Sequence, residues 1–180
     1  MILNQEKSQL LIIDIQEKLL NAVFNKDSLL KKAVTFAKAC KILEIPVTVT
    51  EQYPKGLGLT VDEIKNSLSS AKYFEKTAFS ALEDLELVES LKNNNRKQII
   101  LFGIETHICV HQTACALLKQ GYEVVLIKDA CGSRSEEEYL SALEVLKASG
   151  VQIKTTEMAL FELLKTSKHP NFKEIQSLIK

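Results

Sequence analysis

Three side chains that lie far apart along the chain could act together as a nucleophile, a proton acceptor and a cation. Cys109 follows the turn at residues 103–106 and opens a segment with helical spacing. Free N–H groups and the positive end of the helix dipole favour a thiolate at such a position, and they could also stabilise an oxyanion. A buried structural cysteine is the competing interpretation of Cys109 taken alone.

Asp14 and Lys76 are the carboxylate and the amine. Asp14 ends the first apolar segment of the chain and could take up and return a proton, although a helix N-cap or a solvated strand end is an alternative role. Lysines are usually solvated surface charges. Beside a thiol and a carboxylate, however, Lys76 would lower the pKa of the thiol and hold the pair in register.

Short aliphatic or β-branched segments alternate with segments of helical spacing. This alternation predicts a three-layer α/β/α sandwich, Rossmann-like, with a mostly parallel central sheet of about six strands. The predicted strands are residues 9–15, 45–52, 72–76, 96–104, 123–130 and 151–156. The predicted helices are residues 28–44, 61–68, 82–92, 108–120, 135–149, 157–165 and 171–179.

Ligands of open α/β sheets bind outside the carboxyl ends of the strands. This rule brings the three reactive side chains to one rim of the predicted sheet. The segments that should form this rim contain Asp14, residues 51–58, Lys76, residues 103–109 and residues 129–134.

Size and composition are those of a globular protein. The 180 residues, 46% hydrophobic and 26% charged, suit a single domain over residues 1–180. The 23 basic and 23 acidic residues balance, which argues against a nucleic-acid-binding face and a nuclease. No apolar stretch approaches the roughly 18 residues of a membrane span. The four cysteines form no C-x-x-C pair, and no signal peptide is visible, so we expect a cytoplasmic protein with free thiols.

Five segments of the sequence resemble the isochorismatase-like hydrolase superfamily and occur in the family's order. The signature blocks are LLIIDIQ around Asp14, YFEKTAFSA around Lys76 and LFGIETHICV around Cys109. EQYPKGLG at residues 51–58 and DACGSR at residues 129–134 resemble the isochorismatase domain-containing protein subgroup. The resemblance implies a cysteine hydrolase whose catalytic triad is Asp14, Lys76 and Cys109.

The resemblance also implies a non-proline cis peptide between Ile104 and Glu105. The backbone N–H groups of Glu105 and Cys109 would then form the oxyanion hole. Relatives often have a small residue at position 105, so the glutamate is a departure, and its side chain should either point away or shape the pocket. Members that hydrolyse isochorismate lack the nucleophilic cysteine, so Cys109 favours attack on a carbonyl, typically an amide.

Neither a metal ion nor another cofactor is expected. Nicotinamidase-like relatives bind a metal through an aspartate and histidines after the second strand, where this chain has Glu51, Gln52 and Tyr53. His107 and His111 have the i,i+4 spacing of helical zinc ligands, but the glutamate of that motif is missing. We expect His107 to line the pocket instead.

The expected substrate is a small molecule, and the resemblance implies a homo-oligomer in which neighbouring subunits close each site. One alternative is a carbamoyl or ureide hydrolase that uses the same triad. Another is a catalytically idle binding or regulatory protein with this fold. Proximity to the motifs selects as pocket-lining candidates Gln16, Gln52, Tyr53, Phe79, Thr106 and His107.

Overall fold

The protein is built on one sheet of six parallel strands in the order β3-β2-β1-β4-β5-β6. The computed structural model describes residues 1–68 and 70–180. The strands are β1 (Ser8–Ile13), β2 (Val47–Gln52), β3 (Ala71–Lys76), β4 (Gln98–Gly103), β5 (Glu123–Ile127) and β6 (Gln152–Lys154).

Helices flank the sheet and complete a three-layer α/β fold. Those in the described ranges are α1 (Glu17–Asn21), α2 (Lys26–Ile42), α3 (Pro54–Leu57), α4 (Asp62–Lys65), α5 (Leu85–Asn93), α6 (His111–Lys119), α7 (Glu136–Ala148), α8 (Thr156–Leu164) and α9 (Phe172–Ile179). A single π-helical turn, Thr106–Val110, precedes α6. Short 3-10 turns lie at Gln5–Lys7, Ala81–Glu83 and Lys128–Ala130.

The predicted six-strand parallel sheet is confirmed, including its weakest strand. β3 had a weak apolar pattern because it is an edge strand whose side chains are mostly exposed or half-buried. The strand predicted over residues 123–130 is shorter, since the chain turns into the 3-10 turn Lys128–Ala130 after Ile127. The short helices α1 and α3 were not predicted, because four or five residues are too few to show a helical period.

The central strands β1 and β4 are buried along their whole length. They pair in parallel, with Leu11 opposite Leu101, and the helices cover both faces of the sheet. The strand order reverses here, because β2 and β3 continue on one side of β1 while β4 begins the other half. A reversal of this kind opens a crevice at the carboxyl ends of the two strands. Asp14 and the turn at residues 104–110 follow directly after those ends.

Gly103 allows the two central strands to converge at this end. Its φ is +142°, and a Cβ atom at this position would collide with the backbone oxygen of Ile13. The N–H of Ile104 donates to that same oxygen at 2.9 Å. Only glycine satisfies both the dihedral angle and the close approach.

Within the described ranges, no helix has the length and the apolar character needed to cross a membrane.

Candidate active site

Asp14 is the first residue after β1, and its carboxylate is fully buried. Its backbone has a φ of +50°, a left-handed conformation that aspartate tolerates better than most residues. The Thr50 hydroxyl donates to Asp14 Oδ1 at 2.7 Å, and the N–H of Asp14 donates to the carbonyl of Thr50 at 3.2 Å. The end of β2 therefore fixes both the backbone and the carboxylate of Asp14.

Lys76 is the last residue of β3, and it reaches across β2 to Asp14. Its Nζ atom lies 2.7 Å from Asp14 Oδ2, and the two side chains are 3% and 0% exposed. The ammonium also donates to Gln52 Oε1 and to the carbonyls of Ala78 and Phe79. Buried charges require this kind of pairing, because an isolated ion would lose its hydration without compensation.

The second carboxylate oxygen of Asp14 retains acceptor capacity. Although Lys76 Nζ is close, Oδ2 is buried and accepts no hydrogen bond of acceptable geometry from the described residues. An ionised carboxylate can accept about four hydrogen bonds. A thiol proton could therefore be received at this atom.

Cys109 lies in the π-helical turn, and its side chain is buried. Burial raises the pKa of the thiol to about 12, and the negative charge of Asp14 adds to this rise. The charge of Lys76 acts in the opposite direction. The structure thus brings the thiol, the carboxylate and the amine together.

One expectation about the thiol is wrong. The position of Cys109 at the start of a helix and the nearby Lys76 were expected to favour a thiolate. Lys76 does lower the pKa, but burial and the Asp14 carboxylate outweigh it, so the net shift is upward. The free protein therefore holds Cys109 as a neutral thiol at physiological pH.

The turn before Cys109 contains the cis peptide between Ile104 and Glu105 that the resemblance implied. The carbonyl of Glu105 accepts hydrogen bonds from the N–H groups of Ile108 and Val110, which starts the π-helical turn. The N–H and the hydroxyl of Thr106 both donate to the carbonyl of Gly132 at 2.9 Å. The loop after β5 therefore fixes the backbone of this turn.

The side chain of Glu105 points towards Arg134. The guanidinium donates from Nε and from Nη2 to the two carboxylate oxygens, each at 2.9 Å. This pair holds the pKa of Glu105 below its usual range, chiefly through the side-chain hydrogen bond from Arg134. The negative charge at position 105 is therefore neutralised by a cation from the same rim.

The six pocket-lining candidates occupy different environments. Gln16 is fully buried. Its Nε2 atom donates to the carbonyls of Gln52 and Gly58, and its Oε1 atom accepts a hydrogen bond from the N–H of Gln52. Thr106 is also buried and bonded to the loop after β5. Tyr53 and Phe79 are 54% and 53% exposed. Of the six, these two aromatic rings are the most accessible to a small molecule.

His107 faces a separate cleft beside α7. Its Nδ1 atom lies 3.0 Å from Ser133 Oγ, and its Nε2 atom lies 3.9 Å from a carboxylate oxygen of Glu138. The cleft has a volume of about 190 Å³. Its lining residues are His107, His111, Glu138, Ser141, Ala142 and Val145. The structure therefore places His107 against a cleft whose lining does not include Asp14, Lys76 or Cys109.

The last two residues of β2, Glu51 and Gln52, form hydrogen bonds within the protein. Glu51 Oε1 accepts hydrogen bonds of 2.7 Å from both the N–H and the hydroxyl of Thr60. Gln52 is bonded to Lys76, and Tyr53 lies at the surface. In residues 1–68 and 70–180, no three His, Cys, Asp or Glu side chains are grouped so that they could hold a metal ion.

Sequence reasoning missed two contributors to this site. Thr50 was predicted only as part of a strand, and nothing in its surroundings along the chain signals its bond to Asp14. Arg134 lies in the DACGSR block, which was assigned to the correct rim without a role for the arginine. The available signal was a cationic side chain at the end of a family motif on the predicted rim.

A parallel sheet in this strand order, with a buried thiol, carboxylate and amine at its reversal point, defines a three-layer α/β protein. The chain belongs to the isochorismatase-like hydrolase family, because the isochorismatase domain model matches residues 8–158. It is 43% identical to isochorismatase domain-containing protein 2 of Danio rerio over 178 residues, which cover 98% of this chain and 89% of that protein.

Two further relatives differ in their stated roles. The structure of the MAR1 ribonuclease from Caenorhabditis elegans has a TM-score of 0.95 and 37% identity, covering 99% of this chain and 92% of that one. The secreted isochorismatase effector Isc1 of Phytophthora sojae is 39% identical, covering 96% of this chain and 84% of that protein.

Proposed function

We propose that the protein is a metal-independent cysteine hydrolase that cleaves an amide-type C–N bond of a small molecule through a thioester acyl-enzyme. The observation that carries the proposal is the buried Asp14 Oδ2 atom, which accepts no hydrogen bond from the described residues and lies beside a neutral thiol and a cationic amine. A nucleophilic thiol requires a base that accepts its proton and a cation that stabilises its negative charge.

The first half-reaction transfers the acyl group to sulfur. Asp14 accepts the proton of Cys109 as the sulfur bonds to the substrate carbonyl carbon, and the C=O π electrons move onto oxygen. The N–H groups of Glu105 and Cys109 would stabilise this oxyanion. When the C=O bond re-forms, the C–N bond breaks and protonated Asp14 gives its proton to the leaving amine.

The second half-reaction releases the acid. Asp14 accepts a proton from water while the water oxygen bonds to the thioester carbon. Collapse of the second tetrahedral intermediate breaks the C–S bond, and Asp14 returns its proton to the sulfur. Lys76 stays cationic throughout and stabilises the sulfur whenever it carries negative charge.

This mechanism explains why a thiol with a raised pKa is compatible with catalysis. The proton needs to travel only to Asp14, so no thiolate has to accumulate in the free protein. The thiolate character develops as the carbonyl engages the oxyanion hole. Efficient proton transfer of this kind depends on a base close to the thiol, and Asp14 is near enough to raise the pKa of Cys109.

Intact-mass spectrometry against a panel of small amides, esters and ureides tests the proposal. We expect a transient acyl adduct on the wild-type protein and none on Cys109→Ala, with product release only from the wild type. Equal turnover by both proteins would exclude Cys109 as the nucleophile. An RNA oligonucleotide belongs in the panel, because one relative is named a ribonuclease.

The same experiment separates the two alternatives. A carbamoyl or ureide hydrolase would carry a carbamoyl adduct, whose mass differs from that of a simple acyl group. A catalytically idle binding protein would give no adduct, and its Cys109 would also resist iodoacetamide at alkaline pH.

We also infer that the protein works in a reducing compartment, in keeping with the expected cytoplasmic location. All four cysteines are free thiols, and the proposed nucleophile is one of them. Oxidation would remove its nucleophilicity. Activity that is lost under mild oxidation and recovered with a thiol reductant would support this inference, and indifference to both would oppose it.

A further inference from the structure

We propose that Gln52 is a positioning residue that holds the Lys76 ammonium against Asp14 and Cys109, and that it does not contact the substrate. The inference rests on the proposed function, since it assigns Lys76 the role of supporting the sulfur. Gln52 was selected from the sequence as a pocket-lining candidate. Its contacts give it a different task.

Both ends of the Gln52 side-chain amide are occupied within the protein. Its Oε1 atom accepts a hydrogen bond from Lys76 Nζ at 2.5 Å, and its Nε2 atom donates to the carbonyl of Thr77 at 2.7 Å. Because the nitrogen end is fixed by a carbonyl acceptor, the oxygen end is obliged to face the ammonium. The amide is therefore oriented for Lys76.

The backbone of Gln52 is fixed as firmly as its side chain. The N–H of Gln52 donates to Gln16 Oε1 at 2.7 Å, and Gln16 Nε2 donates back to the carbonyl of Gln52 at 3.0 Å. Gln16 is fully buried, and its Nε2 atom also bonds the carbonyl of Gly58. This two-way bond ties the chain after β1 to the end of β2, so Gln52 can act as a rigid support.

Lys76 needs such a support because its side chain is long and flexible. Lysine has a flexible four-carbon stem, and its ammonium group, unlike the planar guanidinium of arginine, has no fixed donor geometry. Neighbouring acceptors must therefore define its position. Besides Asp14, these acceptors are Gln52 Oε1 and the carbonyls of Ala78 and Phe79, both at 3.2 Å. All three are neutral, so they hold the cation without cancelling the charge that supports the sulfur.

The neutrality of Gln52 leads to a measurable consequence. A glutamate at position 52 would keep the length of the side chain and add a negative charge beside Lys76. That charge would compete with the developing thiolate for the cation and raise the pKa of Cys109 further. A methionine at position 52 would keep the length and remove the oxygen that holds Lys76.

The rate of Cys109 alkylation by iodoacetamide reports this effect without knowledge of the substrate. It is measured from about pH 7 to about pH 10 in a Cys115→Ala background, because Cys115 is half-buried and could also react. We expect Gln52→Glu to slow alkylation about tenfold at each pH, equivalent to a pKa shift of about one. Gln52→Met should slow it about threefold. Gln120→Glu, which adds the same charge at an exposed position, should match the wild type.

A double-mutant cycle then asks whether Gln52 acts through Lys76. The background is the double variant Asp14→Asn/Lys76→Met, which removes both charges of the ion pair and therefore leaves no unpaired buried charge. In this background Gln52→Met should not change the alkylation rate further. A threefold loss that persists there would mean a general structural role and would overturn the proposal, as would wild-type alkylation rates in both single Gln52 variants.

The outcomes distinguish this inference from the proposed function. If Cys109 of the wild type alkylates but never carries an acyl adduct, the proposed hydrolase fails, and the comparison of Gln52 variants still decides the positioning role. If acyl adducts form on the wild type and both Gln52 variants alkylate at its rate, the hydrolase stands and the positioning role fails.

Discussion

At the scale of single residues, Asp14 and Lys76 act on the Cys109 thiol with opposite signs. The carboxylate raises the pKa of the thiol, and the ammonium lowers it. A variant at either position should therefore change the resting reactivity of Cys109 in a direction that is known in advance. Turnover need not follow the same direction, because it also requires a proton acceptor.

Asp14→Asn should make the thiol more reactive and the enzyme inactive. The substitution removes a negative charge beside Cys109, so the pKa of the thiol falls and its thiolate fraction at a fixed pH rises. We expect alkylation by iodoacetamide at about pH 8 to be about tenfold faster than in the wild type. Acyl-adduct formation should be lost with the base. A parallel fall in both rates would contradict the proposed division of roles.

Lys76→Met should destabilise the fold because it leaves the Asp14 carboxylate buried without a cation. Breaking a buried ion pair by removing one partner typically costs about 3–5 kcal/mol. We expect a loss in the free energy of unfolding of about 3 kcal/mol, measured by urea denaturation at neutral pH. The double variant Asp14→Asn/Lys76→Met should recover most of that loss. Equal losses in the single and double variants would show that packing, not charge, causes the effect.

At the scale of elements, the loop after β5 holds the turn that carries Cys109. Gly132 accepts two hydrogen bonds from Thr106, and Arg134 binds the Glu105 carboxylate. The two segments are joined over three consecutive residues of the turn, because His107 also contacts Ser133. The DACGSR block thus supports the geometry of the turn that carries Cys109.

Arg134→Ala should lower stability at neutral pH and have a smaller effect in acid. The pKa of Glu105 is lowered in the folded protein, so its pairing stabilises the fold above the unfolded pKa of the group, and this contribution is lost as pH falls through the folded pKa. Because the Arg134 side chain is 63% exposed, solvent screening limits the loss to about 1 kcal/mol. Urea denaturation at about pH 7 and about pH 3 checks this. A loss in the free energy of unfolding that is equal at both pH values would rule out the ion pair as its cause.

Gly103→Ala should be far more destabilising than a matched glycine substitution. The new Cβ would collide with the Ile13 backbone oxygen. Relieving this collision would require moving the backbone of two paired central strands, which costs much free energy. We expect a loss of more than about 2 kcal/mol in the free energy of unfolding. Gly121→Ala is the control, since that glycine has a φ of +79° but no atom within 4 Å of the added Cβ, and should cost about 1 kcal/mol. Equal costs would mean that the dihedral angle alone matters.

At the scale of the whole molecule, exposed apolar side chains include several at or near the rim of the site. Tyr53 and Phe79 are about half exposed, and Leu59 and Leu85 are similarly or more exposed. Exposed apolar groups next to a site can be covered by a second copy of the chain, as the family resemblance implies. We therefore propose a homo-oligomer, and light scattering should give a mass of two or more chains. A monomer at micromolar concentration would refute this.

The placement of Asp14, Lys76 and Cys109 at one rim could be predicted because each lies at the end of a predicted strand or turn. Asp14 ends an apolar run and Cys109 follows a glycine-containing turn, whereas Lys76 ends the short segment KYFEK, whose strand pattern is weaker. The general rule that the carboxyl ends of parallel strands share one edge then places them together. The central strands β1 and β4 were predictable because burial on both faces leaves continuous aliphatic segments, whereas the mostly exposed edge strand β3 has a weaker pattern.

The sequence by itself therefore determined the layers of the fold, the edge of the sheet where Asp14, Lys76 and Cys109 lie, and the family. Only the tertiary structure decided that Gln52 binds Lys76, that Arg134 binds Glu105 and that the Cys109 thiol is neutral at rest. Local patterns report burial and period, whereas these properties depend on which distant side chains meet and how much water is excluded around them. The partners in these pairs are 24 and 29 residues apart, and no local period connects them.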